Sequence, residues 1–256
     1  MFPEQLTRLV SLEGKHALIT GGGTGIGLAI TRFFVDAGAR VVITGRRDEP
    51  LQKACAELGP NARYIVNDIA ETEKLPTLVE SLEHEAPLDI LVNNAGVCFK
   101  RPSLEATDEE FATTLQINLT GLFALTREVG RRMVARKRGA ILNIASITGM
   151  YGITKVAAYG ASKAGLIGLT RILAVEFGPS NVRVNAISPG PIVTDMTDRG
   201  FSTEPARKQH FIDRTPLGRM GNPAEVAAAA LFLCSDAASY ISGVNLPVDG
   251  ANSVSF

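Results

Sequence analysis

Three features of the chain predict an α/β protein with a doubly wound parallel sheet, helices on both faces, and three layers in the order α/β/α. Short apolar runs alternate with segments of helical period, a glycine cluster follows the first apolar run, and no linker or composition break divides the 256 residues. Residues 1–256 therefore read as one domain, with residues 1–14 as an arm leading to the first strand. The composition fits a globular chain with an ample core, being 45% hydrophobic and 20% charged.

The first strand is predicted at His16 to Thr20. It runs into the glycines and then into the helical pattern Ile26, Ile30, Phe33, Phe34 and Ala37, closed by Gly38. A strand, a glycine turn and a helix form the context that a phosphate-binding loop requires. Gly21 allows the tight turn, Gly25 lets the backbone approach a pyrophosphate, and Gly27 lets the helix pack close to the strand. The free amides at Thr24, Gly25 and Ile26 and the helix dipole favour the anion.

Arg40 to Thr44 is predicted as the second strand, followed by Gly45, Arg46 and Arg47. An acidic residue at the end of this strand would accept hydrogen bonds from the two ribose hydroxyls of NAD(H). Gly45 stands there instead, and a guanidinium follows that suits a 2′-phosphate through charge-assisted hydrogen bonds. NADP(H) is favoured with Arg46 and Arg47 as its readers, while Asp48 is near enough to leave NAD(H) possible.

Further along, a helix is predicted over residues 48–58, a strand over Ala62 to Val66, and a helix from about Thr72 to Glu83. A fourth strand, Asp89 to Val92, leads into Asn93, Asn94, Ala95 and Gly96. Thr107 with Asp108, Glu109 and Glu110 has the character of a helix start, opening a long helix that runs to the basic stretch Arg131 to Arg138. Asn118 lies inside that helix, where asparagine is a mediocre former and a functional reason is plausible. After an apolar strand over Ala140 to Ile144, a helix is predicted from Tyr159 to Phe177 on the apolar positions Leu166, Leu169, Leu173 and Phe177. Val182 to Ile187 reads as a sixth strand entering Ser188 to Asp195, whose prolines and glycine imply a rigid loop. Residues 195–220 lose clear periodicity and are expected to form a lid. Asn222-Pro-Ala-Glu opens a helix through Cys234, and Val244 to Val248 is the last strand.

The segment Ser146 to Lys163 is where chemistry is expected. On a helix, Tyr159 and Lys163 lie one turn apart on one face. At about 4 Å and an effective dielectric near 20, a unit positive charge is worth about 4 kcal/mol, enough to bring a phenol pKa from roughly 10 toward neutrality. Tyr159 then suits general acid/base work. Ser146 stands at a strand's carboxyl end, the ligand-binding edge of such sheets, where its hydroxyl polarises a substrate oxygen. An ordinary exposed helix pair is the alternative for Tyr-x-x-x-Lys taken alone.

Taken together, Ser146, Tyr159, Lys163, Asn118 and the run Thr20-Gly-Gly-Gly-Thr-Gly-Ile-Gly27 resemble the single-domain short-chain dehydrogenase/reductase family over residues 12–250. The resemblance implies a Rossmann-type fold and hydride transfer between the nicotinamide and a secondary alcohol/ketone pair. It further implies that Tyr159 is the proton carrier, that Lys163 lowers the phenol's pKa and binds the nicotinamide ribose, that Ser146 is the oxyanion stabiliser, and that Asn118 helps hold a local helix irregularity and orders a proton relay. A buried structural role for Asn118 stays open. By the same resemblance Asp68 and Ile69 contact the adenine, with a capping role for Asp68 as the alternative. Asn94, Ala95 and Gly96 border the ribose. Pro189, Gly190, Ile192 and Thr194 approach the nicotinamide or pyrophosphate.

Twenty-six basic residues balance twenty-six acidic ones, so no global field steers the chain to nucleic acid or a membrane surface. Cys55, Cys98 and Cys234 and the scattered His16, His84 and His210 give neither a disulfide framework nor a metal motif, and a reducing cytoplasm is expected. No export signal or spanning segment is expected. The partner is a small carbonyl or alcohol, with 3-oxoacyl-thioester, sugar/polyol and hydroxysteroid substrates all open. By analogy with relatives a homotetramer is expected, a dimer next. A non-catalytic dinucleotide-binding regulator is the rival from another class.

Overall fold

The computed structural model describes residues 7–202 and 204–255. The expected arm is therefore described only from residue 7, where a helical turn spans 7–10. The fully buried Leu12 then ties it to the first helix, its amide donating to the Ala37 carbonyl at 2.8 Å.

The chain alternates strands and helices from its start. β1 (His16–Thr20), β2 (Arg40–Gly45) and β3 (Ala62–Val66) are joined by α1 (Gly25–Asp36) and α2 (Asp48–Leu58). A 3₁₀ turn and α3 (Leu75–Glu85) lead to β4 (Ile90–Asn93). α4 (Asp108–Leu115) and α5 (Leu122–Arg136) precede β5 (Gly139–Ile144), and α6 (Ala157–Phe177) precedes β6 (Val182–Pro189). α7 (Asp195–Phe201), α8 (Pro205–Arg214) and α9 (Pro223–Cys234) precede β7 (Asn245–Val248).

All seven strands are parallel, in the order β3-β2-β1-β4-β5-β6-β7. The winding reverses between β1 and β4, so both strands end at the point where open α/β sheets form a crevice. Side-chain alternation divides the core in two. Ala17, Ile19, Val41, Ile43, Ile90 and Val92 pack with α1, α2 and α9, whereas Leu18, Val42, Leu91 and Ile141 pack with α3, α5 and α6.

Several boundaries differ from expectation. β4 starts at Ile90 because Asp89 has another task, its carboxylate accepting from the His16 amide at 3.0 Å and pairing with Arg138. β6 runs on through Pro189, which still aligns with Val248 at the end of the ladder, where a missing N–H does least harm. Residues 195–220 are more regular than expected, since α7 and α8 occupy most of them. α7 starts with Thr194 and Thr197 satisfying each other's amides, and α8 with Pro205 in its first turn.

The long helix that opens at Asp108 carries a π-helical turn, Gln116–Gly121, at Asn118, where the resemblance implied a local irregularity. Its start matches expectation, with Thr107 and Glu110 closing a capping box. Among the described residues, no helix is long and apolar enough to cross a membrane, and no three His, Cys, Asp or Glu side chains group as metal ligands.

Candidate active site

At the carboxyl end of β1 the chain turns sharply at Gly21, φ +66°, and enters α1 at Gly25, φ +53°. Gly27 is buried so tightly that a Cβ there would lie 2.1 Å from the Gly21 carbonyl oxygen. Only a bare backbone lets α1 start this close to β1. Behind the turn, Asn94 Nδ2 donates to the Thr20 and Gly21 carbonyls at 2.9 and 3.1 Å, and Thr20 Oγ1 accepts from the Asn94 and Ala95 amides. Asn93 Nδ2 donates to Thr126 Oγ1 and Asn143 Oδ1 at 2.7 and 2.8 Å. The Asn-Asn pair therefore stitches neighbouring strands together and fixes the loop after β4.

A cleft opens above this brace. Of the residues expected to hold a dinucleotide, Gly21, Thr24, Arg46, Arg47, Asp68, Ile69, Ala95 and Gly96 line it together. Thr194 reaches over the turn, its Cγ2 being 3.5 Å from where a Gly25 side chain would begin. Others stand apart from the cleft wall. Gly27 and Asn94 brace it from behind, Ile26 packs against the core, and Pro189 ends a strand. Gly190 packs against Asp249, and Ile192 faces a separate hollow with Leu217 and Gly221. Asp68 Oδ1 accepts from the Ala70 amide at 3.0 Å, so it secures the turn after β3, not a helix start. Thr20, Asn67 and Ile117 also line the cleft and were not singled out from sequence; Asn67, beside Asp68, was the legible one.

The residues fit a dinucleotide, and the end of β2 is the informative part. Arg46 and Arg47 are exposed and have no ion-pair partner among the described residues. Asp48, the carboxylate that left NAD open, is exposed in the first turn of α2, where it holds the Tyr64 phenol above its ordinary pKa.

The expected catalytic residues converge at the ends of β4, β5 and α6. Ser146 follows β5, its Oγ accepting from the Thr148 amide at 3.1 Å and donating to Thr148 Oγ1 at 3.0 Å. The same hydroxyl acts on the Tyr159 phenol, opposing the rise of its pKa. Lys163, one turn further along α6, is 3% exposed; its Nζ donates to the Ile144 carbonyl at 2.7 Å and lies 5.6 Å from the Tyr159 ring centre.

The electrostatics differ from expectation. Burial pushes the Tyr159 phenol above its ordinary value, opposed by the Ser146 hydrogen bond, and the same burial pushes Lys163 down to about 8. The lysine's ammonium is engaged by the Ile144 carbonyl, and desolvation is the largest influence on the phenol.

Asn118, fully buried in the π turn, donates to the Val97 carbonyl at 2.9 Å and Ser162 Oγ at 3.1 Å, and accepts from the Val97 amide at 2.8 Å. Its side chain thus fixes the Gly96–Val97 loop and holds a helix irregularity in place. Gly96 has room for no side chain of size, with Asn118 Oδ1 and Lys163 Nζ 3.2 and 3.7 Å from its would-be Cβ. Cys98, two residues on, has its thiol pushed up to about 11 by burial; it feels the Lys163 charge and in turn raises the phenol. Nothing in its sequence setting marked it.

Comparison with known proteins agrees with this geometry. The family described as enoyl-(acyl carrier protein) reductase matches residues 21–251. The chain is 42% identical over 246 residues to a galactitol 2-dehydrogenase (L-tagatose-forming) of Cereibacter sphaeroides, covering 95% of this chain and 96% of that one. It is 38% identical over 242 residues to a 3-oxoacyl-[acyl-carrier-protein] reductase of Rickettsia prowazekii, covering 94% and 98%. A crystal structure of a gluconate 5-dehydrogenase from Burkholderia cenocepacia, in complex with NADP and tartrate, superposes with a TM-score of 0.92 at 31% identity, covering 98% of this chain and 100% of that one. With a glycine turn on β1, a Ser-Tyr-Lys cluster at the ends of β5 and α6, and relatives matched over nearly their whole length, the chain belongs to the short-chain dehydrogenase/reductase family.

Proposed function

We propose that this protein is an NADP(H)-dependent oxidoreductase that interconverts a secondary alcohol and a ketone. The observation that carries the reading is the meeting of Ser146 with the Tyr159 phenol beside a cleft floored by the glycine turn. Bound in that cleft, the nicotinamide supplies the hydride acceptor or donor, so that the alcohol loses a hydride and a proton, or the ketone gains them.

Tyr159, with its pKa raised by burial, holds its proton at neutral pH and is set to donate it to a developing alkoxide. Ser146 Oγ stabilises the same oxygen. Lys163 anchors the end of β5 through Ile144 and keeps a cation beside the phenol. Asn118 positions the Gly96–Val97 loop and, through Ser162, whose Oγ donates to the Tyr159 carbonyl at 2.7 Å, the start of α6. A relay role for it is part of the same reading.

Preference for NADP(H) is supported by Arg46 and Arg47 standing on the cleft with no ion-pair partner among the described residues, and by Gly45 in place of an acidic residue at the end of β2. Structures related to this chain carry NADP in their crystals. Sugar, polyol and 3-oxoacyl-thioester substrates all match the relatives' activities.

A homotetramer is supported by exposed Phe123 on α5 and Ile172 and Val175 on α6, apolar side chains that a partner would cover; sedimentation of the purified protein decides it. A reducing cytoplasm suits the three free thiols. The deciding experiment for the chemistry is steady-state turnover with NADPH or NADP⁺ across a carbonyl and alcohol panel. Turnover lost in Ser146→Ala and Tyr159→Phe supports the reading, and cofactor binding with no turnover on the whole panel contradicts it.

A further inference from the structure

Beyond Cys98 the rim of the site carries charge of one sign. Lys100 Nζ is 2.9 Å from Glu204 Oε2, and Lys155 Nζ is 2.9 Å from Glu204 Oε1. Arg207 NH1 is 3.8 Å from the same carboxylate, and its NH2 donates to the Thr154 carbonyl at 2.8 Å. Three cations thus surround one carboxylate, two positive charges in excess.

Among the described residues Lys100, Lys155 and Arg207 form ion pairs with no carboxylate other than Glu204. Asp198 is exposed, and Asp213, exposed, takes the Gln209 amide at 2.7 Å. A fourth cation, Arg214, lies against the same loop, 4.7 Å above the Tyr151 ring, with its buried Nε lacking an acceptor among the described residues.

Chain neighbourhood and electrostatics tie this cluster to the catalytic residues. Lys155 precedes Tyr159 by one helical turn's worth of chain, and Lys100 follows the Gly96–Val97 loop that Asn118 holds. Cys98 lies between the two groups, feeling Lys163 on one side and Arg207 and Lys100 on the other. α8 brings the lysines' partner Glu204 and Arg207 to the 154–155 loop, and Lys100 Nζ also donates to the Gly200 carbonyl at 2.7 Å. The wall beyond is aromatic, with Phe201 and Phe211 ring centres 5.6 Å apart and Arg207 over Phe211 at 5.8 Å.

We propose that Lys100, Lys155 and Arg207 form a carboxylate-binding subsite, and that the substrate is a polyhydroxy acid oxidised at a secondary carbinol, not a neutral polyol or an acyl thioester. The proposal rests on the redox reading above. Glu204 shows that the three cations accept a carboxylate, since it is one, and it caps the start of α8, an element outside the sheet. A substrate carboxylate takes these donors beside Glu204 or in its place, while its carbinol reaches Ser146 and Tyr159. The surplus charge that costs stability without an anion is then a specificity device. In the oxidation, the carbinol C–H pair leaves as hydride to oxidised nicotinamide, and the O–H proton passes to the Tyr159 oxygen as that phenol releases its own proton to solvent, so the C=O bond forms with electrons and protons accounted for.

Two readouts test it. The first is kcat/KM with NADP⁺ for a six-carbon aldonate, the matched neutral hexitol, the matched sugar phosphate, and, in reduction, a 3-oxoacyl thioester. The aldonate is expected to exceed each of the others by about tenfold or more, the worth of one charge-assisted hydrogen bond. Arg207→Gln and Lys155→Gln are expected to collapse that preference through KM, with kcat kept, and Arg207→Lys to recover part of it.

The second is calorimetric binding of the aldonate to the protein–NADP⁺ complex, in wild type and in the same variants, with folding of each checked by circular dichroism. Affinity falling about tenfold in the variants, and falling with added salt in wild type, supports the subsite. Equal or better turnover of hexitol, phosphate ester or thioester overturns it, as does aldonate binding that the substitutions leave unaltered. No turnover on any substrate would defeat the redox reading instead, and the calorimetry would still decide the subsite.

Discussion

Lys163 should make this protein less stable at neutral pH than it need be, and the structure sets the size of the effect. Burial lowers its pKa from 10.5 to about 8. For a lysine depressed in the folded state, the penalty is fully present below the folded value, is relieved as pH rises between the two values, and is gone above the unfolded one. That difference corresponds to about 3 kcal/mol of folding free energy. Lys163→Met removes the penalty, and it also leaves the Ile144 carbonyl without its donor, a loss of about 1–3 kcal/mol that does not depend on pH.

The variant should therefore equal or exceed wild type in stability near pH 7 and fall below it near pH 10. The assay is urea unfolding of both proteins at half-unit steps from pH 7 to 10. Taking the difference between them cancels the titration of groups common to both. A difference that stays constant across the range would show that Lys163 is not desolvated as described. Its retention despite that cost would fit a residue kept for chemistry, and the variant should be inactive at every pH.

Other substitutions probe the cofactor cleft and the backbone. Replacing Arg46 and Arg47 with alanine should weaken NADPH binding about 10- to 100-fold, the worth of one charge-assisted contact, and leave NADH binding largely intact; fluorescence titration measures both. Gly27→Ala places a methyl against the Gly21 carbonyl oxygen and should cost about 3 kcal/mol or more, together with NADPH binding, as followed by thermal unfolding with and without cofactor. Ala251 stands in the left-handed region at φ +68°, so Ala251→Gly should raise stability by about 0.5–1 kcal/mol in urea unfolding.

How far these residues were legible follows from how local their causes are. The glycine turn, the capping boxes at Thr107 and Asn222 and the alternation that splits the core depend on neighbours within a few positions, and they stand where pattern placed them. Ala251 takes a left-handed conformation that nothing in its neighbours along the chain announces, and only the backbone dihedral shows it.

Long-range packing decided the rest. The π turn around Asn118 depends on the Val97 loop and Ser162, which are 21 and 44 residues away in the chain. The charge state of Tyr159 and Lys163 is set by burial, which spacing along a helix does not report. α7 and α8 looked irregular because their apolar stripe is thin: α8 buries none of its residues fully, and its Arg207 turns toward Glu204 and Thr154.

The most direct measurement of the central claim compares wild type with Tyr159→Phe in single-turnover oxidation of NADPH by a ketone substrate, alongside NADPH affinity. If the phenol of Tyr159 carries the proton, turnover falls at least about 1,000-fold and cofactor affinity stays within a small factor. Turnover surviving near the wild-type rate would show that the proton comes from elsewhere.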